Sequence, residues 1–258
     1  MQNLTATLVQ CELAWESPAQ NREHLESLIA GERDNTDIVV LPEMFTTGFS
    51  MNAEGNAEPP GGDTEQWLRR MAAALNCAVT GSIATRDGNA VFNRMLFATP
   101  DSVTHYDKRH LFRMAGEEQH YAPGHSRVCV TWRGWRVLLQ VCYDLRFPVF
   151  SRNRGDYDLA LYVANWPVAR REHWRCLLQA RAIENLACVV GVNRVGEDGN
   201  GLHYSGDSLA LDAHGHHLAD MKEGAETRRV TFDAEALAAH RERFPFHLDA
   251  DDFSLPAS

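Results

Sequence analysis

The chain has no run of about eighteen apolar residues, so no membrane-crossing helix is expected. Its first residues, Met1-Gln2-Asn3-Leu4-Thr5-Ala6, lack the basic segment and long apolar stretch of a secretory signal, and a cytoplasmic location is the expectation. Lysine and arginine nowhere form a dense run and the net charge is −10, which argues against a surface that tracks phosphates and so against nucleic acid as a partner. The cysteines Cys11, Cys77, Cys129, Cys142, Cys176 and Cys188 include no C-x-x-C pair, and most fall inside apolar segments, so neither disulfides nor a structural zinc site is supported. No linker is visible either. With 258 residues, 44% of them hydrophobic and 23% charged, the chain has the size of one large domain over residues 1–258, with a core of about 4–245 and a tail of about 246–258.

What is present is an alternation of strand-like and helix-like segments. Leu4 to Cys11 reads as a strand, and Pro18 to Arg33 as an amphipathic helix with Ser17 as N-cap and Pro18 at its first position. A strand at Asp37 to Leu41 then completes a βαβ unit. A helix follows at Thr64 to Leu75, with strands at Ala78 to Arg86, Val91 to Thr99 and Val103 to Asp107 joined by the turns Asp87-Gly88-Asn89 and Pro100-Asp101. Further on come a short helix near Val149 to Asn153, a strand at Leu159 to Ala164, and a helix from Arg170 to Leu186 with Trp174, Leu177, Leu178, Ala182 and Ile183 on one stripe. Strands at Cys188 to Val195, Asp207 to Asp212, His217 to Met221 and Arg228 to Phe232 precede a helix at Ala234 to Arg243. The histidine-rich segment His214-Gly215-His216-His217 lies between two of these strands and reads as a hairpin turn, not a metal site. Strands in the middle with helices outside imply an α/β sandwich.

Three segments deliver a reactive side chain from a strand end. Val137 to Val141 is an apolar run that ends on Cys142 and breaks at once into Tyr143-Asp144-Leu145-Arg146-Phe147-Pro148. A strand fixes the thiol, and the turn after it leaves the side chain and the next backbone N–H facing open space, where an acyl group could be attacked and its oxyanion held. Ile38-Val39-Val40-Leu41-Pro42-Glu43 presents a carboxylate and Val103 to Phe112 presents Lys108 in the same way. Glu43, between apolar residues and Met44-Phe45, is expected to be buried and paired.

Leu41-Pro42-Glu43-Met44-Phe45, Tyr106-Asp107-Lys108-Arg109-His110-Leu111-Phe112 and Val141-Cys142-Tyr143-Asp144-Leu145-Arg146-Phe147-Pro148, in that order and followed by Arg181-Ala182-Ile183-Glu184-Asn185, resemble the motifs of the nitrilase superfamily of carbon–nitrogen hydrolases. The resemblance runs from about residue 4 to about residue 245. It implies a four-layer αββα sandwich and dimers of eight layers built through helices such as the one containing Trp174; no cofactor and no metal are expected. It implies Cys142 as nucleophile, Glu43 as the proton shuttle, and Lys108 with the backbone N–H of Tyr143 as the oxyanion site. The family's second glutamate stands seven residues before the glycine of a Pro-Gly turn; counting back from Gly124 reaches Glu117, with Glu118 beside it as the alternative.

Carboxamides are poor electrophiles with a poor leaving group, so the thiol must lose its proton as it attacks and the departing nitrogen must gain one. Arg146, four residues beyond Cys142, could clamp a substrate carboxylate with two parallel hydrogen bonds, or pair with a structural acid such as Asp144. In the omega-amidases, the branch most resembled, the matching arginine goes with the free carboxylate of short dicarboxylate monoamides such as 2-oxoglutaramate and 2-oxosuccinamate. Phe45, Phe49, Asn165 and Trp166 are the candidate walls of a small substrate pocket, and Arg109 reads as a surface charge. An N-carbamoyl or deaminated-glutathione amidase, a nitrile-hydrolysing enzyme and a non-catalytic thiol sensor are the other readings; the Glu43, Lys108, Cys142 set speaks against the sensor.

Overall fold

The computed structural model describes residues 1–254, so the last four residues of the expected tail lie outside the described residues. In chain order the elements are β1 (Leu4–Gln10), α1 (Pro18–Ile29), β2 (Ile38–Val40), α2 (Ala53–Asn56), α3 (Asp63–Leu75), β3 (Ala78–Asp87), β4 (Ala90–Ala98), β5 (Val103–Asp107), β6 (Cys129–Trp132), β7 (Trp135–Val141), α4 (Pro148–Ser151), β8 (Leu159–Ala164), α5 (Arg171–Asn185), β9 (Cys188–Asn193), β10 (Val195–Glu197), β11 (His203–Ser205), β12 (Leu209–Leu211), β13 (His217–Asp220), β14 (Glu226–Phe232) and α6 (Ala234–Arg243). None of the described helices is long and apolar enough to cross a membrane.

Two six-stranded sheets, ordered β14-β1-β2-β3-β4-β5 and β13-β12-β9-β8-β7-β6, form the middle layers. Their facing sides share one apolar core that includes Leu4, Ala6, Leu8, Ile38, Val40, Met95 and Phe97 from the first sheet and Trp135, Val137, Leu139, Leu161 and Val163 from the second. The first sheet's outer face is covered by α1 and α3, whose Leu25, Ile29, Trp67, Leu68 and Ala72 pack with Val39, Leu41 and Val79. Residues Ile38–Val40, Leu159–Ala164 and Cys188–Asn193 are buried throughout. Cover on both faces of the sheet explains why they read as unbroken apolar runs and not as alternating ones.

Helix α5 lies on the second sheet through Trp174, Leu178 and Ala182. Gly191 on β9 permits this approach: a Cβ there would sit 2.4 Å from Leu178 Cδ1 and 2.8 Å from the Trp174 ring. Ile183, expected on the same stripe, is instead 46% exposed on the outer side of α5. Arg181 is buried and donates to the Leu145 carbonyl at 2.6 Å, which ties α5 to the segment after β7.

Some boundaries differ from expectation. The first helix ends at Ile29 and is followed by a single 3-10 turn, and the expected strand Cys188 to Val195 breaks at Asn193. The chain after it forms the separate hairpin β10–β11, which the short, Gly-interrupted sequence Gly196 to Gly201 conceals. Edge strand β6 also escapes sequence reading, since only four residues pair with β7. His214 to His217 does form the turn region between β12 and β13.

Strands β1, β2 and β3 run parallel, as do β7, β8 and β9, and β5 regains the direction of β3 after two antiparallel steps. Glu43, Lys108, Cys142, Asn165 and Asn193 therefore all lie at the carboxyl ends of strands, where open α/β sheets form their crevices.

Candidate active site

Lys108 lies directly after β5, and its ammonium is fully buried between two fully buried carboxylates. Nζ donates to Glu43 Oε1 at 3.0 Å and to Glu117 Oε1 and Oε2 at 3.0 and 2.9 Å. Asn93 on β4 bridges the same carboxylates, with Nδ2 2.8 Å from Glu43 Oε1 and 3.3 Å from Glu117 Oε1. Glu43 Oε2 accepts the backbone N–H of Asn165 at 2.8 Å, and Glu117 Oε2 accepts that of Phe112 at 2.6 Å. Burial alone would discharge the ammonium; the charges of Glu117 and Glu43 outweigh it and hold Lys108 above its ordinary value. Burial, with the Glu43 charge beside it, pushes Glu117 upward against the pull of Lys108. The neighbouring Glu118 lies outside this cluster, near Arg113 at 4.0 Å.

Cys142 completes the group. Its thiol is close enough to the Glu43 carboxylate to feel its charge and lies 3.9 Å from the Asn165 carbonyl oxygen. Burial first, then the Glu43 carboxylate, raise it well above the ordinary thiol value, so the resting sulfur is neutral at neutral pH. The residue has φ +45°, a left-handed conformation uncommon outside glycine, at the junction of β7 and the 3-10 turn Cys142–Arg146. Early in that turn, the Tyr143 N–H has no acceptor within it.

Asp144 holds the strained junction in place. Its buried carboxylate accepts the Val141 N–H at 3.0 Å, the Tyr106 hydroxyl at 2.7 Å and the His110 N–H at 3.0 Å, and the His110 ring nitrogen is 2.7 Å away. The turn that carries the thiol is thereby fastened to the segment that carries the ammonium.

Beside this cluster opens a cleft of about 460 Å³, lined among others by Tyr143, which follows Cys142, and by Asn165, which bonds Glu43. Phe49, Phe112, Tyr143, Trp166 and Tyr204 form its aromatic walls, and Arg146 and Arg170 supply positive charge. The Arg146 guanidinium lies 4.9 Å over the Trp166 ring with Nη2 3.1 Å from His173 Nδ1. Asp144 is occupied elsewhere, and Arg146 makes no ion pair among the described residues. Phe45 is a correction: it is fully buried on the opposite side, 6.0 Å from the Trp67 ring in the core under α3, and does not line the cleft. Phe49 does, with Lys108 Nζ 5.1 Å from its ring centre. Arg109 lies over Phe150 and donates to the Gly124 carbonyl, outside the cleft wall.

The carbon–nitrogen hydrolase family model matches residues 5–242. The chain belongs to the carbon–nitrogen hydrolase family. This hydrolase is 51% identical to omega-amidase YafV of Yersinia enterocolitica over 99% of its own length and 100% of that protein's. It is 30% identical to a 2-oxoglutaramate amidase of Bacillus subtilis, over 95% of this chain and 96% of that one. A Xanthomonas campestris protein of the same superfamily, solved with an arsenic adduct in its active site, superposes with a TM-score of 0.98 at 50% identity, covering 99% of this chain and 100% of that one.

Sequence reading of the hydrolase missed Asn93, Asp144 and Arg170. Nothing in the local pattern marks Asn93, a polar residue in the middle of an apolar strand whose partners are distant in the chain. Asp144 does carry a signal, an acid between Tyr143 and Leu145 two residues beyond the thiol.

A neutral resting thiol has a measurable consequence. Alkylation of Cys142 by iodoacetamide, followed peptide by peptide in mass spectrometry, should accelerate from about pH 7 past about pH 9 without levelling off. A plateau near neutrality would reveal a preformed thiolate.

Proposed function

We propose that this chain hydrolyses the terminal carboxamide of short dicarboxylate monoamides, of the 2-oxoglutaramate or 2-oxosuccinamate type, through a cysteinyl thioester with release of ammonia. The observation that carries the reading is the meeting of Cys142, Glu43 and Lys108 beside a cleft whose wall holds Arg146, which has no carboxylate partner among the described residues. The names of the relatives, omega-amidase and 2-oxoglutaramate amidase, agree with it.

In the proposed cycle the Cys142 sulfur bonds to the amide carbon while its proton passes to Glu43. Lys108 and the Tyr143 N–H receive the developing oxyanion, a contribution of a few kcal/mol per donor (about 3) in comparable acyl transfer. The carbon–nitrogen bond then breaks as Glu43 returns the proton to nitrogen, and ammonia leaves. Water, deprotonated by Glu43, attacks the thioester carbon; the carbon–sulfur bond breaks, the sulfur regains a proton, and the acid product departs. Glu117 keeps Lys108 charged and in place. Arg146, stacked on Trp166, receives the substrate's free carboxylate.

On this reading wild-type protein releases ammonia from 2-oxoglutaramate, and Cys142→Ala lowers release on the order of 10⁴-fold or more while thermal melting stays intact. Arg146→Lys should cost about tenfold or more in kcat/KM for the short substrate and much less for a deaminated-glutathione amide anchored elsewhere. Ammonia released from carbamoyl compounds or nitriles in preference to these amides would contradict the reading.

A homodimer built through α5 belongs to the same proposal. Support comes from Ile183, 46% exposed on α5, and from Leu218, 43% exposed on β13, whose turn packs against Ile183 at Gly215. Light scattering at micromolar concentration should give twice the chain mass; a monomer would overturn the dimer.

A further inference from the structure

Asn165 is the first residue after β8, and two of its groups are committed to Glu43. Its backbone N–H donates to Oε2 at 2.8 Å, and its side-chain Nδ2 donates to the Glu43 backbone carbonyl at 2.6 Å. The second bond fixes which way the amide faces, because a flipped side chain would bring two oxygens together. Oδ1 is then left over. It is buried, it accepts no hydrogen bond from any described residue, and Asn165 lines the cleft. A buried carbonyl oxygen without a donor is costly, and native proteins leave few of them unexplained.

We propose that Asn165 Oδ1 accepts an N–H from the carboxamide of the substrate and so orients the departing nitrogen towards Glu43. The inference rests on the amidase reading and adds to it a selection for amides that carry a free N–H. A neutral carboxamide has two N–H donors, and its nitrogen becomes basic only after sulfur has added to the carbon. For C–N cleavage the new lone pair must face the acid that protonates it, so the N–H bonds must be held elsewhere. Asn165 has the acceptor for one of them, on the side chain that also holds Glu43 through Nδ2. The Asn165 carbonyl oxygen, 3.9 Å from the sulfur, is a second acceptor near the nucleophile. An ester of the same acid has no N–H to offer and gains nothing from Oδ1.

The test compares 2-oxoglutaramate with the matching ω-methyl ester of 2-oxoglutarate on wild type, Asn165→Ala and Asn165→Asp, each checked by thermal melting. Asn165→Ala should lower kcat/KM for the amide about tenfold or more beyond any loss on the ester, the size of one lost neutral hydrogen bond. Asn165→Asp, which keeps an oxygen at the position, should hold the amide-to-ester ratio within about threefold of wild type even where both rates fall. Equal losses on amide and ester in Asn165→Ala would reduce Asn165 to a support for Glu43 and overturn the proposal; so would a collapse of the ratio in Asn165→Asp. Should Asn165→Ala fail to fold, the ratio in Asn165→Asp alone decides. If wild type leaves 2-oxoglutaramate untouched, the substrate reading fails by itself, and the same ratio is then measured on whichever primary amide and ester pair the protein does hydrolyse.

Discussion

One ammonium between two carboxylates, all three shut away from water, is the constraint on which the rest of the site depends. Lys108 could not stay charged at that depth without Glu43 and Glu117, and its charge in turn opposes the upward push that burial gives Glu117. Burial first, and then the Glu43 carboxylate beside it, make Cys142 reluctant to ionise at rest. The proposed chemistry turns that reluctance to use: a proton leaving sulfur for Glu43 moves within the cluster and changes no total charge. The same enclosure favours carboxylate oxygens that are bonded, and Asn93, the Phe112 N–H and the Asn165 N–H bond those of Glu43 and Glu117.

The sandwich supplies these partners because both sheets end their parallel strands at one edge. β2 and β5 deliver acid and base from the first sheet, and β7 and β8 deliver thiol and asparagine from the second. Rigid strands set the positions, while the strained Cys142 junction sets the direction. Asp144 couples the two halves, since Tyr106 and His110 belong to the segment of Lys108 and Val141 to the strand of Cys142. The cleft beside this cluster has aromatic walls with Arg146 and Arg170.

Much of this was legible from sequence wherever chemistry and local pattern coincide. An apolar run broken by a turn at Cys142, and a carboxylate after Leu41-Pro42, mark strand ends regardless of tertiary context. Glu117 was reached by counting from Gly124, whose backbone N–H does bond the Lys108 carbonyl at 2.9 Å. The limits are equally physical. Phe45 and Phe49 sit four apart in an irregular segment without a helical or strand period, so nothing in the pattern says that one faces the α3 core and the other the cleft. Asn93 and Asn165 act through partners 50 and 122 residues away, and the Oδ1 left over on Asn165 emerges only once every other bond has been assigned. The β10–β11 hairpin, which brings Asp198 and Tyr204 to the cleft, hides in a glycine-rich stretch that reads as loop.

The interdependence of the buried charges is best tested by urea denaturation of Lys108→Met, Glu117→Gln and the double variant. Removing Lys108 alone leaves two carboxylates facing each other without a counter-charge and should cost about 3–5 kcal/mol. Removing the Glu117 charge as well takes away part of that repulsion, so the double variant should be more stable than Lys108→Met by about 1 kcal/mol or more. Costs that simply add, leaving the double variant the least stable of the three, would contradict the account.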